Sequence, residues 1–198
     1  MLPRGGRDAD VRWFDIPACY VFHAVNAYDD GPRIVLDVIA HPRMFDRSPL
    51  VPNEGSPGLQ RWVVDLAGGR VTQEPLDDRA VEFPRIDERR TGRPHRFGYA
   101  VAYDDDGYPT GTLVKHDLVA GSTLTHDLGP GVNLGEVVLV PRAADAGEDD
   151  GVLLGLAYDR ARGRSTFVVL DAAGLEPVAS VELPVRVPTG FHGNWLPD

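Results

Sequence analysis

The sequence has little cysteine and no long hydrophobic run. Its 198 residues contain a single cysteine, Cys19, which cannot form an internal disulfide. No window approaches the roughly 20 apolar residues needed to cross a bilayer, and no signal peptide is recognisable. The simplest expectation is a cytoplasmic protein, and peripheral contact with a membrane stays open. Because residues 17–22 are mostly apolar, we expect Cys19 to be buried as a small hydrophobe.

Positive charge is scarce as well. The chain carries 20 Lys and Arg against 30 Asp and Glu, which gives a formal net charge of -10 and a pI near 5.0. A surface of this sign repels phosphates, so nucleic acid is excluded as a partner. The composition, 42% hydrophobic and 25% charged, is typical of a folded globular domain.

Helical periodicity is missing, and short β-rich runs take its place. The 22 Gly and 17 Pro interrupt the chain too often for a long helix. Acidic clusters that end in glycine, at 29–31, 104–107 and 149–151, are typical of hairpin turns. They lack the alternating oxygen spacing of a calcium loop. The pattern predicts an all-β chain.

A repeat of about 50 residues runs through the sequence. Residues 62–68, 114–121 and 167–174 share the order strand, aspartate, turn, glycine. The aspartates of the three segments are Asp65, Asp117 and Asp171, which are 52 and 54 residues apart. This period in an all-β chain is typical of a β-propeller, in which each blade has four antiparallel strands.

The repeat predicts about three four-stranded blades and a closing strand. The predicted strands are 21–26, 33–39, 60–65 and 70–74; then 81–86, 97–103, 112–117 and 122–126; then 135–141, 152–158, 165–171 and 177–183, with 190–193 opening a fourth unit. A propeller needs at least about four blades to close, and open blades leave apolar faces and strand edges bare. We therefore expect this chain to be a fragment, to pair with another chain, or to be a remnant that does not fold stably.

One ligand-type residue occurs at the same place in every repeat. His23, Glu82, Glu136 and His192 are separated by 59, 54 and 56 residues, on the strands expected nearest the propeller axis. Ionisable groups that face an interior are costly unless they are paired or bind a metal. Imidazole suits iron, copper, nickel and zinc, and a glutamate can orient a ligating histidine. Spacing alone leaves open that the four are unrelated polar residues at blade ends.

Several motifs, in a fixed order, resemble one known family. They are Trp13-Phe14, FHAVNAY at 22–28, EFPRI at 82–86, Gly-Glu at 135–136 through Val-Pro-Arg at 140–142, and Leu-Pro at 183–184 with GFHGNW at 190–195. Together they cover nearly all of the chain and resemble the carotenoid cleavage oxygenases, the retinal pigment epithelial membrane protein family.

The resemblance implies a seven-bladed propeller with Fe²⁺ on its axis, held by four histidines, three of which hydrogen-bond to glutamates. His23 and His192 match the third and fourth iron ligands, and Glu82 and Glu136 match two of the three glutamates. The resemblance implies no catalytic residue beyond the metal centre and no other cofactor. The remaining ligands would belong to blades upstream of Met1, so residues 1–198 are expected to be the C-terminal part of a single propeller domain.

The resemblance also implies a reaction. Family members are dioxygenases that use O₂ to cleave a carbon–carbon double bond, here expected in an apolar carotenoid, apocarotenoid or stilbene substrate. With half of the ligands, the 198 residues alone are expected to be inactive. The alternative is a catalytically inactive propeller fragment that acts as a binding or scaffold module. A metal-free sugar-binding propeller is disfavoured, because its axial His and Glu residues would have no purpose.

Other candidate residues lie outside the family's ligand set. Four further histidines are expected to be surface or structural residues: His41, His95, His116 and His126. Phe22 and Phe191 precede the two proposed ligands, and strand alternation would point them away from the axis. We expect them to pack in the core.

Overall fold

The computed structural model describes residues 1–46 and 55–196. Strands dominate these ranges, and their helical content is two short 3₁₀ turns, Asp8–Asp10 and Glu88–Arg90. The described residues contain no helix that is long and apolar enough to span a membrane. The all-β prediction is confirmed.

The strands form three antiparallel sheets, which we call the first, second and third blades. The first blade consists of β1 (Tyr20–Asp30), β2 (Arg33–His41), β3 (Gly58–Asp65) and β4 (Arg70–Pro75). The second consists of β5 (Val81–Arg85), β6 (Phe97–Tyr103), β7 (Pro109–Asp117) and β8 (Ser122–Asp127). The third consists of β9 (Val132–Leu134), β10 (Val138–Pro141), β11 (Gly151–Asp159), β12 (Arg164–Asp171) and β13 (Pro177–Glu182).

Each blade is a meander in which neighbouring strands follow one another in the chain, except that β9 pairs with β11 and not with β10. The predicted strands agree with these to within a few residues at their ends, with two exceptions. The predicted strand 135–141 is interrupted: β9 and β10 both pair with β11, and residues 135–137 between them are not in a strand. The predicted closing strand 190–193 is wrong, because within the described chain this segment pairs with no neighbouring strand.

The repeating aspartates explain why the blades share a sequence pattern. In each blade the aspartate ends the third strand of the meander, and one of its carboxylate oxygens accepts hydrogen bonds from two backbone N–H groups of the following turn. Asp65 accepts from Ala67 and Gly68, Asp117 accepts from Val119 and Ala120, and Asp171 accepts from Ala173 and Gly174. Asp provides such local turns because its short side chain reaches the backbone two or three residues on.

The core lies between the blades rather than inside any one of them. Successive side chains of a strand point to opposite faces, so the second blade is buried on both sides. Tyr99 and Val101 of β6 face a cluster that includes Leu153 of the third blade. Ala100, between them, faces a second cluster that includes Ile39 of the first blade. This face-to-face stacking is the arrangement of propeller blades.

Cys19 is exposed and lies immediately before β1 begins. The prediction that it is buried is therefore wrong. The apolar stretch that suggested burial belongs to the innermost strand of the first blade, whose alternate residues Tyr20 and Phe22 are 40% and 44% exposed. Apolar composition marked the strand correctly but did not indicate which of its faces is covered.

Two buried histidines are expected to make the fold sensitive to acid. His95 and His116 are 7% and 3% exposed, and burial lowers the pKa of each below its ordinary value of 6.5, against the opposing effect of nearby Asp37 and Asp77. Their folded forms bind a proton less readily than the unfolded chain, so stability is fully present above pH 6.5 and falls as the pH drops below it. We expect the urea midpoint of the complete gene product to fall between pH 7.5 and 5.5.

The variant His116→Gln tests this directly. A Gln side chain does not titrate and can still donate to Asp77, as His116 does through Nε2 at 2.8 Å. Its urea midpoint should therefore depend less steeply on pH than that of the parent. His126→Gln, on the outer strand β8, should keep the parental slope. Equal slopes in all three proteins would contradict the role assigned to His116.

Candidate metal centre

The four residues that the sequence spacing selected converge on one point. His23 lies on β1, Glu82 on β5, Glu136 between β9 and β10, and His192 in the segment after β13. Nε2 of His23 lies 3.4 Å from Nε2 of His192. Their ring centroids are 5.0 Å apart with the ring planes at 80°. Residues that are 169 positions apart in the chain thus face each other across the inner edge of the blades.

Each histidine is held by one glutamate. Nδ1 of His23 lies 2.6 Å from Oε2 of Glu82, and Nδ1 of His192 lies 2.7 Å from Oε2 of Glu136. Both glutamate side chains are about 95% buried, whereas the histidine side chains are 22% and 55% exposed. In each pair, then, the carboxylate belongs to the protein interior and the imidazole faces the open centre.

These pairs fix the tautomers of the two rings. A carboxylate is an acceptor only, so each Nδ1 carries the proton and donates it to the glutamate, which leaves Nε2 of a neutral ring with a lone pair. Two lone pairs then face each other across 3.4 Å. Such an arrangement is unfavourable unless a proton or a metal cation lies between the two nitrogens. It is the arrangement in which carboxylate–histidine pairs present Nε2 to a metal.

The hydrogen bond to Glu82 also raises the pKa of His23 above its ordinary value, although burial opposes this shift. In Glu82 burial acts to raise the pKa, but the hydrogen bonds from His23 and His41 outweigh it and the pKa of the carboxyl is lowered. Glu82 is therefore ionised at neutral pH. An ionised carboxylate is the stronger acceptor and holds the His23 ring more firmly.

Irregular backbone aims these side chains at the centre. In β1 the pairing moves from Val21–Ala40 to Ala24–Val38, three steps on one strand against two on the other, so His23 lies in a bulge. A second bulge lies in β5, where pairing moves from Glu82–Val101 to Arg85–Tyr99. Bulges re-aim side chains and are frequent next to functional sites.

Glu136 lies at a third irregularity. Leu134 pairs with Ala157 and Val138 with Leu154, so four steps on the inner strand face three on β11. This explains why the predicted continuous strand is interrupted. All three inner-strand site residues thus lie where regular pairing is broken.

Phe83 covers one side of the site. It follows Glu82 in the bulge of β5 with a φ of +54°, a conformation that is uncommon for a bulky residue and marks local strain. Its ring centroid lies 5.5 Å from that of His23 and 6.2 Å from that of His192. The next residue, Pro84, has no N–H and is tolerated because β5 is the edge of its sheet. Phe83 gives the two imidazoles an apolar wall.

Phe22 and Phe191 do not pack in the core. Phe22 is 44% exposed and Phe191 is 77% exposed, so the prediction of core packing is wrong for both. Alternation correctly turns Phe22 away from the direction of His23. The side to which it turns, however, is not covered by any other blade in the described chain. The Phe22 ring instead lies against Tyr20 and His41, at 4.7 and 5.3 Å between centroids.

Two further side chains hold the glutamates, and neither was expected at the site from the sequence. Nε2 of His41 lies 2.7 Å from Oε1 of Glu82. Nη1 of Arg85 lies 2.9 Å from Oε1 of Glu136. Arg85 is part of the EFPRI motif, so its position near the site had a signal in the sequence. His41 belongs to no motif, and its side chain reaches the site only through the pairing of β1 with β2.

The donor set fits half of a metal centre. Imidazole nitrogens bind first-row metals at about 2.0–2.1 Å, and two nitrogens 3.4 Å apart can both lie at that distance from one ion. In residues 1–46 and 55–196 there is no group of three or more His, Cys, Asp or Glu side chains that could hold a metal ion. Two neutral nitrogen ligands, each backed by a carboxylate, are what this part of the chain offers.

An apolar cavity opens beside His192. Its volume is about 390 Å³, and its lining includes Leu154, Leu156 and Phe167 of the third blade together with Phe83 and Phe191. Leu154 and Leu156 alternate along β11 with Leu153 and Ala157 of the core, so these two leucines point to the other face of the third blade. An apolar molecule fits such a space beside the His192 imidazole.

Comparison with known proteins identifies relatives along the whole chain. The profile of the retinal pigment epithelial membrane protein family matches residues 1–197. A carotenoid cleavage oxygenase of Mycobacterium tuberculosis is 46% identical over 209 residues, which cover 100% of this chain and 42% of that protein. A lignostilbene-alpha,beta-dioxygenase isozyme of Sphingomonas paucimobilis is 32% identical and is aligned over 98% of this chain and 45% of its own length.

Solved structures agree with these relatives. A variant of Synechocystis apocarotenoid oxygenase superposes with a TM-score of 0.88 at 29% identity, over 98% of this chain and 43% of that one. The present chain therefore spans less than half of the length of each of these proteins. The shared part contains the three stacked blades and the segment that carries His192.

Proposed function

The chain belongs to the carotenoid cleavage oxygenase family, whose profile bears the name retinal pigment epithelial membrane protein, and on this premise we propose that it contributes half of a non-haem Fe²⁺ dioxygenase centre. The reaction would consume one carbon–carbon double bond and one O₂ and would form two carbonyl products. The substrate would be a carotenoid, an apocarotenoid or a stilbene. The relatives whose names carry these substrates support the range.

One observation carries the proposal: the lone pairs of His23 and His192 face each other across 3.4 Å, and each ring is fixed from behind by a buried glutamate. Neutral nitrogen ligands that keep coordination sites open suit ferrous iron. When bound, iron supplies the redox chemistry with O₂ that no side chain of the protein can provide.

The residues of the chain would perform the remaining tasks. His23 and His192 would bind the metal through Nε2, and Glu82 and Glu136 would keep Nδ1 protonated and the rings oriented. Phe83 would exclude water on one side of the centre. The apolar cavity next to His192 would hold part of the substrate by shape, with the alkene near the two imidazoles.

Two ligands would come from outside residues 1–198. The chain spans 42% of its mycobacterial relative, and we propose that it is the C-terminal part of one propeller domain whose other blades carry two more histidines and a third glutamate. Those blades would also cover the exposed face of the first blade, including Tyr20 and Phe22. The 198 residues alone would then be inactive.

The test uses the complete gene product, purified anaerobically with Fe²⁺. We expect about one iron per chain, and O₂-dependent conversion of an apocarotenal or a hydroxystilbene into two carbonyl products, measured by metal analysis and by chromatography with mass detection. A complete product that holds no iron and cleaves neither substrate would overturn the proposal.

The alternative is a binding or scaffold module without catalysis. Its motivation is that two histidines, not four, meet in the described part of the chain. It predicts that the reading frame upstream of Met1 encodes no further histidine motif. An upstream frame with two more such motifs would favour the enzyme.

A further inference from the structure

His41 is a buried histidine whose role in the site has no counterpart in the motifs. It is the last residue of β2, and its side chain is 1% exposed. Nε2 lies 2.7 Å from Oε1 of Glu82, the carboxylate oxygen that does not contact His23. Glu82 therefore bridges two histidines, of which one faces the centre and the other is enclosed in the protein.

The surroundings of His41 determine which nitrogen carries its proton. Nδ1 is buried and has no hydrogen-bond partner among the described residues, whereas Nε2 faces a carboxylate. A buried N–H without an acceptor costs more than a buried lone pair of a neutral ring, and a carboxylate can only accept. Nε2 of His41 therefore carries a proton and donates it to Glu82.

With this donor, both oxygens of Glu82 are fixed. Oε2 accepts from Nδ1 of His23 and from the backbone N–H of Phe83 at 2.7 Å, and Oε1 accepts from His41. A carboxylate held at one oxygen can still rotate about its terminal torsion, which is broad. A second donor on the opposite oxygen removes that freedom and fixes the plane in which Oε2 meets His23.

The other glutamate is held differently. Oε1 of Glu136 accepts from the guanidinium of Arg85 at 2.9 Å, and from the backbone N–H of Gly193 at 3.3 Å. One carboxylate is thus anchored by a guanidinium and the other by an imidazole.

We propose that His41 is a positioning residue of the metal centre, which orients Glu82 and through it the His23 imidazole. This inference rests on the proposed function for the identity of the metal. The hydrogen-bonded chain from His41 to Glu82 to His23 is a feature of the protein itself and can be tested with or without iron.

The experiment compares His41→Leu with His41→Gln in the complete gene product. Leucine fills the space without a donor and leaves Oε1 of Glu82 buried and unpaired. Glutamine carries an amide N–H at about the position of Nε2 and restores the donor. Fe²⁺ affinity, measured by competition with a chelator, should fall about tenfold in His41→Leu, at the lower end of the range for groups behind metal ligands. It should stay within about threefold of the parent in His41→Gln.

His116→Leu is the matched control. It removes a second buried histidine–carboxylate hydrogen bond, to Asp77 at 2.8 Å, that has no contact with the four site residues. It should cost stability and leave Fe²⁺ affinity unchanged. Unchanged Fe²⁺ affinity in His41→Leu would overturn the inference. An equal loss of affinity in His41→Gln would also overturn it, because His41 would then act through the packing of its ring and not through its hydrogen bond.

A second readout needs no metal. In metal-free protein labelled with ¹⁵N-histidine, the Nδ1 proton of His23 should give an NMR signal protected from exchange in the parent and in His41→Gln. The signal should be lost to exchange in His41→Leu; its persistence there would overturn the inference. If the parent protein holds no Fe²⁺, the proposed function is refuted. The NMR result would still decide whether His41 positions the His23 ring.

Discussion

Replacing His192 by alanine is expected to remove bound iron and alkene cleavage together. The imidazole supplies one of the two lone pairs that face the centre, and its side chain is 55% exposed, so its loss should leave the fold intact. Loss of a group behind a metal ligand costs about 10–100-fold in affinity or activity, and loss of the ligand itself should cost about 100-fold or more.

His23→Ala should have the same effect on iron and an additional effect on the fold. Its removal takes the side-chain donor from Oε2 of the buried Glu82. His192→Ala likewise takes the donor from Oε2 of Glu136, but the His192 side chain is 55% exposed against 22% for His23, so water reaches the vacated position more readily there. A buried group that loses such a partner costs about 1–3 kcal/mol. We therefore expect a lower denaturation midpoint in His23→Ala than in His192→Ala, with iron content and turnover lost in both.

His126→Ala separates these effects from a general loss of histidine. His126 lies on β8, the outer strand of the second blade. The variant should bind iron and cleave substrate as the parent does. The measurement is iron per chain together with the rate of cleavage of an apocarotenal under O₂. Parental iron content and rate in both His23→Ala and His192→Ala would refute the assignment of the ligands.

Glu82→Gln is expected to weaken Fe²⁺ binding by about 10–100-fold with almost no change in side-chain volume. Every group that contacts the carboxylate is a donor: Nδ1 of His23, Nε2 of His41 and the backbone N–H of Phe83. An amide must turn its own NH₂ towards one of them. If it faces His41, that ring must move its proton to Nδ1, which is buried and has no partner in residues 1–46 and 55–196.

Weaker Fe²⁺ binding is also expected in Glu136→Gln, because Arg85 and the ring of His192 both donate to that carboxylate. Glu74→Gln is the matched control, since Glu74 lies on the exposed outer strand β4. Affinity is measured by chelator competition in the complete gene product. Parental affinity in both Glu82→Gln and Glu136→Gln would show that the glutamates are structural and do not support the metal ligands.

The blades could be predicted from the sequence because the interactions that form their strands and turns are local. Alternation of apolar and polar residues defines a strand over five or six positions, and an aspartate followed by glycine defines the turn that ends it. Asp65, Asp117 and Asp171 cap their own turns through bonds that span two or three residues. The spacing of His23, Glu82, Glu136 and His192 is a consequence of that repeat, so it too could be found in the sequence.

Tertiary structure decided how these residues meet. His41 and Glu82 are 41 residues apart in the chain, and Arg85 and Glu136 are 51 apart. Both contacts depend on places where an inner strand has one residue more than its partner: in β1, in β5, and between β9 and β10. A shift of one residue turns a side chain to the other face of a sheet, and the periodic pattern does not encode where such shifts occur. For the same reason the sequence indicated that Phe22 lies on an inner strand and that Cys19 belongs to an apolar stretch, while the packing of whole blades leaves both exposed.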